Sequence, residues 1–309
     1  MKSRHTCPGR LFLFRASRTL IASCSFLVLA SCASDNYVEL YPYESSVAVN
    51  FLQQAEVEEP MDVIPVNRND RVNRLVGLFE RAGCRGENLS KEKVTGSMVP
   101  TVICRLQGKT DKTIVVSAHH VISTGGKGIF DAWTAVTMLP SLYASIARQE
   151  HEHSYEFVGF ASTHTKGDAS YEYLVRKPER QENVVAMIWL DFMGLGPLSV
   201  WSERTDPNLF ADIVSAGKAL SVPVGGLNLR GVDAVREVKS LHDFSRAFRW
   251  FDIPTIYLHS LSTASAPILT DKDRDSQISE FDRQAYFESY RVLAVYLGYL
   301  DRSLEARKL

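Results

Sequence analysis

The chain has 309 residues, 45% of them hydrophobic and 23% charged, with 35 basic against 36 acidic side chains. This is ordinary globular composition. The absence of a basic excess argues against nucleic acid as a partner, and one core of roughly 250 residues can close without splitting.

The N-terminus lies outside that core. Lys2, Arg4, Arg10, Arg15 and Arg18 form a basic, acid-free stretch, followed by an apolar run over 20–30 that is too short to span a bilayer comfortably. The run ends in Leu29-Ala30-Ser31-Cys32, which resembles the bacterial lipobox. Residues 1–31 are therefore expected to be a lipoprotein signal peptide, with Cys32 as the lipidated N-terminus; the competing reading is an ordinary secretory signal with a chance cysteine. Ala33 follows the cysteine in place of an aspartate, which by resemblance to Gram-negative lipoproteins implies the periplasmic face of the outer membrane. Removing the five basic leader residues from 35 leaves 30 against 36 acidic side chains, a charge of about −6. Cys7 and Cys24 would leave with the leader. Cys84 and Cys104 remain as an even pair in an oxidising compartment, read as a disulfide in preference to two free thiols.

Residues 32–69 mix acidic side chains, Ser and Pro without sustained periodicity and read as a tether; one domain is expected over 70–309. Asp70 is placed to cap a first helix, in which Val72, Leu75, Val76 and Phe79 share a face. Strands are expected at Thr101–Leu106, Thr113–Ala118, Tyr155–Ala161, Val184–Leu190 and Thr255–Leu258, with helices over 132–148, 207–220 and 281–300. Strands alternating with helices imply an α/β fold: a single domain with a mostly parallel central sheet and helices on both faces. The second strand ends on His119, the fourth is followed by Asp191, and Asp131 stands where a helix should begin. Strand ends of a parallel sheet share one edge, the usual place for a site. One imidazole and two carboxylates there suggest a metal centre.

These residues also carry a family resemblance over roughly 70–300. Val115-Val116-Ser117-Ala118-His119-His120-Val121 resembles the V-V-x-G-A-H-Y-D motif of the co-catalytic zinc aminopeptidases, relatives of the glutaminyl cyclases and of the protease-like domain of the transferrin receptor. Gly128-Ile129-Phe130-Asp131-Ala132-Trp133-Thr134 resembles their G-x-x-D-N-x-S, and Ile188-Trp189-Leu190-Asp191-Phe192-Met193-Gly194 their N-x-D-M-x-G. By this resemblance His119 and Asp191 fall on zinc ligands and Asp131 on the carboxylate that bridges two metals. Such a centre activates water or polarises a peptide carbonyl while a nearby glutamate moves the proton.

Several positions depart from the pattern. Where the family has two adjacent glutamates, base and then ligand, this chain has Thr163 and His164. Threonine cannot act as a carboxylate base; His164 would bind zinc as a neutral ligand. The final ligand, a histidine in relatives, falls on Thr270, with Asp271 or Asp273 as the nearest substitutes. Val121 replaces an aspartate that orients the first histidine in relatives. The resemblance therefore implies one zinc rather than two, or none, on His119, Asp131 and Asp191 with His164 as an optional fourth, and a lost base that only His164, Asp168 or Glu172 could replace.

Blander readings attach to the remaining candidates. Asp131 can serve as a helix cap. His120 should face away from His119 and be structural. His151 and His153 sit in Glu150-His151-Glu152-His153, read as a solvated charged turn. His242 lies where relatives place substrate-side residues, and His259 should bond locally at a strand end. Phe130, Trp133 and Trp189 put bulk near the site, which fits a filled cleft or an apolar pocket. Two functions follow: an envelope metallopeptidase acting on a peptide or amide substrate, or a non-catalytic pseudopeptidase that serves as a lipid-anchored module binding an envelope protein.

Overall fold

The computed structural model describes residues 36–40, 45–121, 127–161, 169–227, 245–262, 264–265 and 277–307. In chain order the regular elements are strands β1 (Asn36–Leu40) and β2 (Ser45–Val49), helices α1 (Gln54–Glu58) and α2 (Arg68–Ala82), strands β3 (Leu89–Glu92), β4 (Thr101–Leu106) and β5 (Thr113–His119), and helix α3 (Thr134–Ile146). There follow β6 (Ser154–Phe160), α4 (Ala169–Val175), α5 (Pro178–Asn183), β7 (Val184–Leu190), β8 (Ser199–Val200), α6 (Pro207–Ala219) and β9 (Gly225–Gly226). Helix α7 (Ser245–Trp250), strand β10 (Thr255–His259) and the long helix α8 (Arg283–Ala306) complete the chain.

All but the β1–β2 ribbon belong to one mixed sheet in the order β3-β4-β6-β5-β7-β10-β8-β9. Its centre, β6-β5-β7-β10, is parallel, while β4 runs antiparallel to β6, and β8 to β10. Every residue of β5, β6 and β10 is buried. That explains why these segments read as unbroken apolar runs: parallel strands are covered on both faces. The five expected strands are all present, and the architecture is the expected α/β domain. Among the described residues no helix is long and apolar enough to cross a membrane.

Three expectations need revision. The sequence suggests a tether over 32–69, yet from Ser45 onward this segment is folded onto the domain. Val47, Val49, Val57 and Met61 are buried, the Leu52 amide donates to the Tyr290 hydroxyl at 2.8 Å, and Glu58 pairs with Arg283 of α8 at 2.8 Å. A few buried apolar side chains suffice where periodicity is absent. Asp70 is not the cap of α2: Asn67 is, accepting from the Asn69 amide at 2.8 Å, and Asp70 lies inside the first turn. Finally, His151 and His153 are not in a solvated turn but buried. Asp301 of α8 accepts from the Glu152 amide, the His153 amide and His153 Nδ1 at 2.9, 2.8 and 3.0 Å, and so turns the charged loop inward.

Cys84 and Cys104 form a disulfide, as expected. It ties the chain just beyond α2, which ends on left-handed Gly83, to the middle of β4.

Candidate functional site at the carboxyl edge of the sheet

Strand register brings the candidate residues into one row. Ser117 of β5 pairs with Trp189 of β7, and Trp189 pairs with Tyr257 of β10. Side chains two residues apart share a face, so His119, Asp191 and His259, each two residues beyond a member of that rung, project to the same side at the carboxyl edge. Asp131 arrives from a different element. Gly128, at φ 58°, admits a wide irregular turn over Ile129–Trp133, and the regular helix starts only at Thr134. Asp131 therefore belongs to the turn rather than to the N-cap of α3.

The three residues converge and are nearly enclosed: His119 and Asp191 are each 2% exposed and Asp131 7%. His119 Nε2 lies 2.9 Å from the Asp131 carbonyl oxygen and 3.4 Å from its Oδ1. A carbonyl can only accept, so Nε2 carries a proton and donates. The Trp189 indole stacks on the imidazole, with ring centroids 5.8 Å apart and planes 13° apart. Asp191 is held by three donors. The Tyr257 hydroxyl donates to Oδ2 at 2.6 Å, Trp189 Nε1 to the same oxygen at 3.4 Å, and the Phe192 amide to Oδ1 at 3.1 Å.

Burial sets the electrostatics. Desolvation lifts Asp191 to about 6, opposed by the His119 charge and the Tyr257 hydrogen bond. For His119, burial works against the cation, but the Asp131 hydrogen bond and the charges of Asp191 and Asp131 together hold its pKa above the usual value. The two neighbouring histidines behave oppositely. His120, buried with Nε2 donating to the Pro100 carbonyl at 3.0 Å, is driven down to about 4 by desolvation. His259, whose Nδ1 accepts from the Leu261 amide at 3.0 Å, is driven down to about 3 by the same cause. Both are structural and neutral, as the sequence suggests.

Zinc takes an imidazole lone pair and carboxylate oxygens; here His119 Nε2 is engaged by a carbonyl and Oδ2 of Asp191 by a tyrosine and a tryptophan. Among the described residues no three His, Cys, Asp or Glu side chains are grouped so that they could hold a metal ion. Thr163, His164, Asp168, His242, Thr270, Asp271 and Asp273 lie outside the described residues, as does Cys32. Glu172 is remote from the cluster in its contacts: its carboxylate takes the Thr95 amide at 3.1 Å and pairs with Arg176.

Sequence reasoning missed two participants. Tyr257 looked like one more apolar strand residue; only its register opposite Trp189 reveals that it caps Asp191. Arg71 of α2, fully buried, donates from Nε to the Pro65 carbonyl and from Nη2 to the carbonyls of Lys127 and Gly128, at 2.8, 2.5 and 2.8 Å. It pins the glycine turn that delivers Asp131. Trp133, expected as bulk in the cleft, packs instead against the N-terminal segment: Arg71 lies 5.3 Å from its ring centre, and its Nε1 donates to the Pro60 carbonyl at 3.1 Å.

No protein-family profile matches the chain, and no curated protein does. Solved structures do. The LapA aminopeptidase of Legionella pneumophila is similar over 80% of this chain and 72% of its own, at 15% identity and a TM-score of 0.64. A glutaminyl cyclase of Macrostomum lignano matches over 81% and 89%, at 13% identity and 0.62. BSAP, a zinc aminopeptidase of Bacillus subtilis, matches over 64% of this chain and 49% of its own, at 10% and 0.53. With the parallel sheet and the strand-end cluster, these likenesses identify the fold of this chain as the zinc aminopeptidase-like fold.

Proposed function

We propose that the protein is a catalytically silent member of this fold, anchored by lipid on Cys32 at the periplasmic face of the outer membrane and acting there as a binding or assembly module for an envelope protein. One observation carries the reading: the 2.6 Å hydrogen bond from Tyr257 engages Oδ2 of Asp191, a carboxylate oxygen that a metal centre on this cluster could use. The substitutions at Thr163 and Thr270 point the same way, since they remove a base and a final ligand together. Fold alone does not decide between enzyme and module; the engaged donor atoms of His119 and Asp191 support the module.

A second reading, zinc-dependent hydrolysis of peptide or amide bonds, draws on the convergence of His119, Asp131 and Asp191. The two are separated by elemental analysis of the purified domain after zinc loading, with an Asp131→Ala, Asp191→Ala double variant as the blank. The silent module should retain no zinc above the blank and turn over no aminoacyl anilide. Stoichiometric zinc lost in the double variant would sink it in favour of the hydrolase.

A further inference from the structure

The opposite edge of the sheet holds a second polar cleft, far along the strands from His119 and Asp191. Thr113 opens β5, Val184 opens β7 and Glu156 lies near the start of β6, and there a cavity of about 330 Å³ is lined by Arg105, Thr113, Glu156, Tyr173, Lys177 and Asn183 among others. Its size is at the small end of ligand sites.

Register places Arg105 of β4 directly opposite Glu156 of β6. A cross-strand pair of opposite charge normally closes on itself. This one does not. Arg105 makes no hydrogen bond among the described residues: its Nη2 lies 3.6 Å from Asp111 Oδ1, and its Nε is buried without a partner. The Glu156 side chain, 11% exposed, receives both of its contacts on one oxygen, from the Tyr173 hydroxyl at 2.6 Å and from Arg180 Nη2 at 3.6 Å. Its other oxygen has no donor among the described residues. The remaining cations do not fill the gap. Arg180 is bidentate on Glu92 at 3.0 and 2.8 Å and lies 3.9 Å over the Tyr173 ring, and Lys177 pairs with Glu92 at 3.0 Å.

A carboxylate oxygen without a donor among the described residues and a guanidinium whose nearest carboxylate, Asp111, stands 3.6 Å away thus border one cavity from neighbouring strands. Both are free to make charge-assisted hydrogen bonds to a ligand. A simple anion would satisfy Arg105 and leave Glu156 unmet; a simple cation would do the reverse. We propose that this cleft binds a free α-amino acid as its zwitterion. The carboxylate sits in the fork of Arg105, which suits bidentate recognition, and the α-ammonium donates to the open oxygen of Glu156. The rest of the cavity takes the side chain. This site is separate from the strand-end cluster, and its occupancy does not depend on whether that cluster is silent or catalytic.

The test uses the purified mature chain, titrated calorimetrically with each of the twenty L-amino acids, with acetate and methylammonium as singly charged controls. Saturable binding of at least one amino acid is expected, with neither control binding. Arg105→Met and Glu156→Gln should each weaken it at least tenfold, with circular dichroism and melting temperature unchanged. Arg105 is 40% exposed in its side chain, so its variant remains informative even if Glu156→Gln disturbs folding through Tyr173. Failure of all twenty to bind, binding of acetate as tight as that of glycine, or undiminished binding in the Arg105 variant would each overturn the assignment.

Discussion

Tyr257 and Asp191 meet across the β7–β10 boundary, hydroxyl to carboxylate, at 2.6 Å in a fully buried setting. Tyr257→Phe removes the donor that most directly favours the ionised acid. Asp191 should then titrate above its present value of about 6, and the domain should lose about 1–2 kcal/mol, the cost of stranding one buried acceptor. Carbon-detected NMR of the carboxyl and urea denaturation measure the two effects; an unmoved titration would show that the hydroxyl does not hold this carboxylate.

The same cluster fixes the sign of a pH dependence. Asp191 titrates near 6 when folded and near 3.9 when unfolded, so the native state holds the extra proton. Its stabilising contribution is complete below about pH 4 and is lost as pH rises through 6. His119, also raised when folded, loses its contribution as pH climbs through its own folded pKa, in the same direction. Asp191→Asn should flatten the stability profile between pH 4 and 6, removing a slope on the order of 2 kcal/mol. Urea midpoints taken across that range check it, and an unchanged slope would refute the linkage.

Asp301 acts oppositely. Burial works against its charge, but the hydrogen bonds from His153 and Glu152 together hold its carboxyl below the usual range, so its contribution is present above about pH 4 and lost as pH falls through the folded pKa. Asp301→Ala leaves two backbone amides and His153 Nδ1 without their acceptor. A loss of about 2–4 kcal/mol is expected at pH 7, read by denaturation. Amide exchange at residues 152–153 should accelerate.

Gly298 sits inside α8, where alanine would ordinarily stabilise a helix by about 0.5–1 kcal/mol. Here a Cβ would stand 2.3 Å from Cγ1 of Val47. Gly298→Ala should therefore destabilise, and much less so when combined with Val47→Ala. Denaturation of the four members of that cycle would measure the coupling; additivity would show that β2 does not rest on α8.

The Cys84–Cys104 bridge closes a loop between positions 20 apart. Replacing both residues by serine should cost about 3 kcal/mol, visible as a lower thermal midpoint that matches the reduced wild type.

The sequence displayed what depends on periodicity and on strand ends. Buried runs such as Val184–Leu190 announced their strands, and His119 and Asp191 declared their common edge because a parallel sheet aligns such ends. It hid what depends on register between distant segments. Nothing local distinguishes Tyr257 from a core tyrosine, and nothing in Glu150–His153 foretells an aspartate arriving from residue 301. The N-terminal stretch failed for a related reason. Val47, Val49 and Val57 are too few and too short a run to announce burial, and the surface that Val47 covers, at Gly298, comes from the far end of the chain.

That arrangement has a consequence for how the molecule is made. The Leu52 amide waits for a hydroxyl 238 residues downstream, and Glu58 for an arginine 225 residues away. While the chain is being synthesised, and until the final helix exists, Val47 lacks the surface at Gly298 that it covers. Contacts of such span close slowly, so the docking of the N-terminal segment on the final helix is expected late. A chain shortened by its last twenty-odd residues would lose the final helix together with the contacts that seat Val47, Leu52 and Glu58 on it.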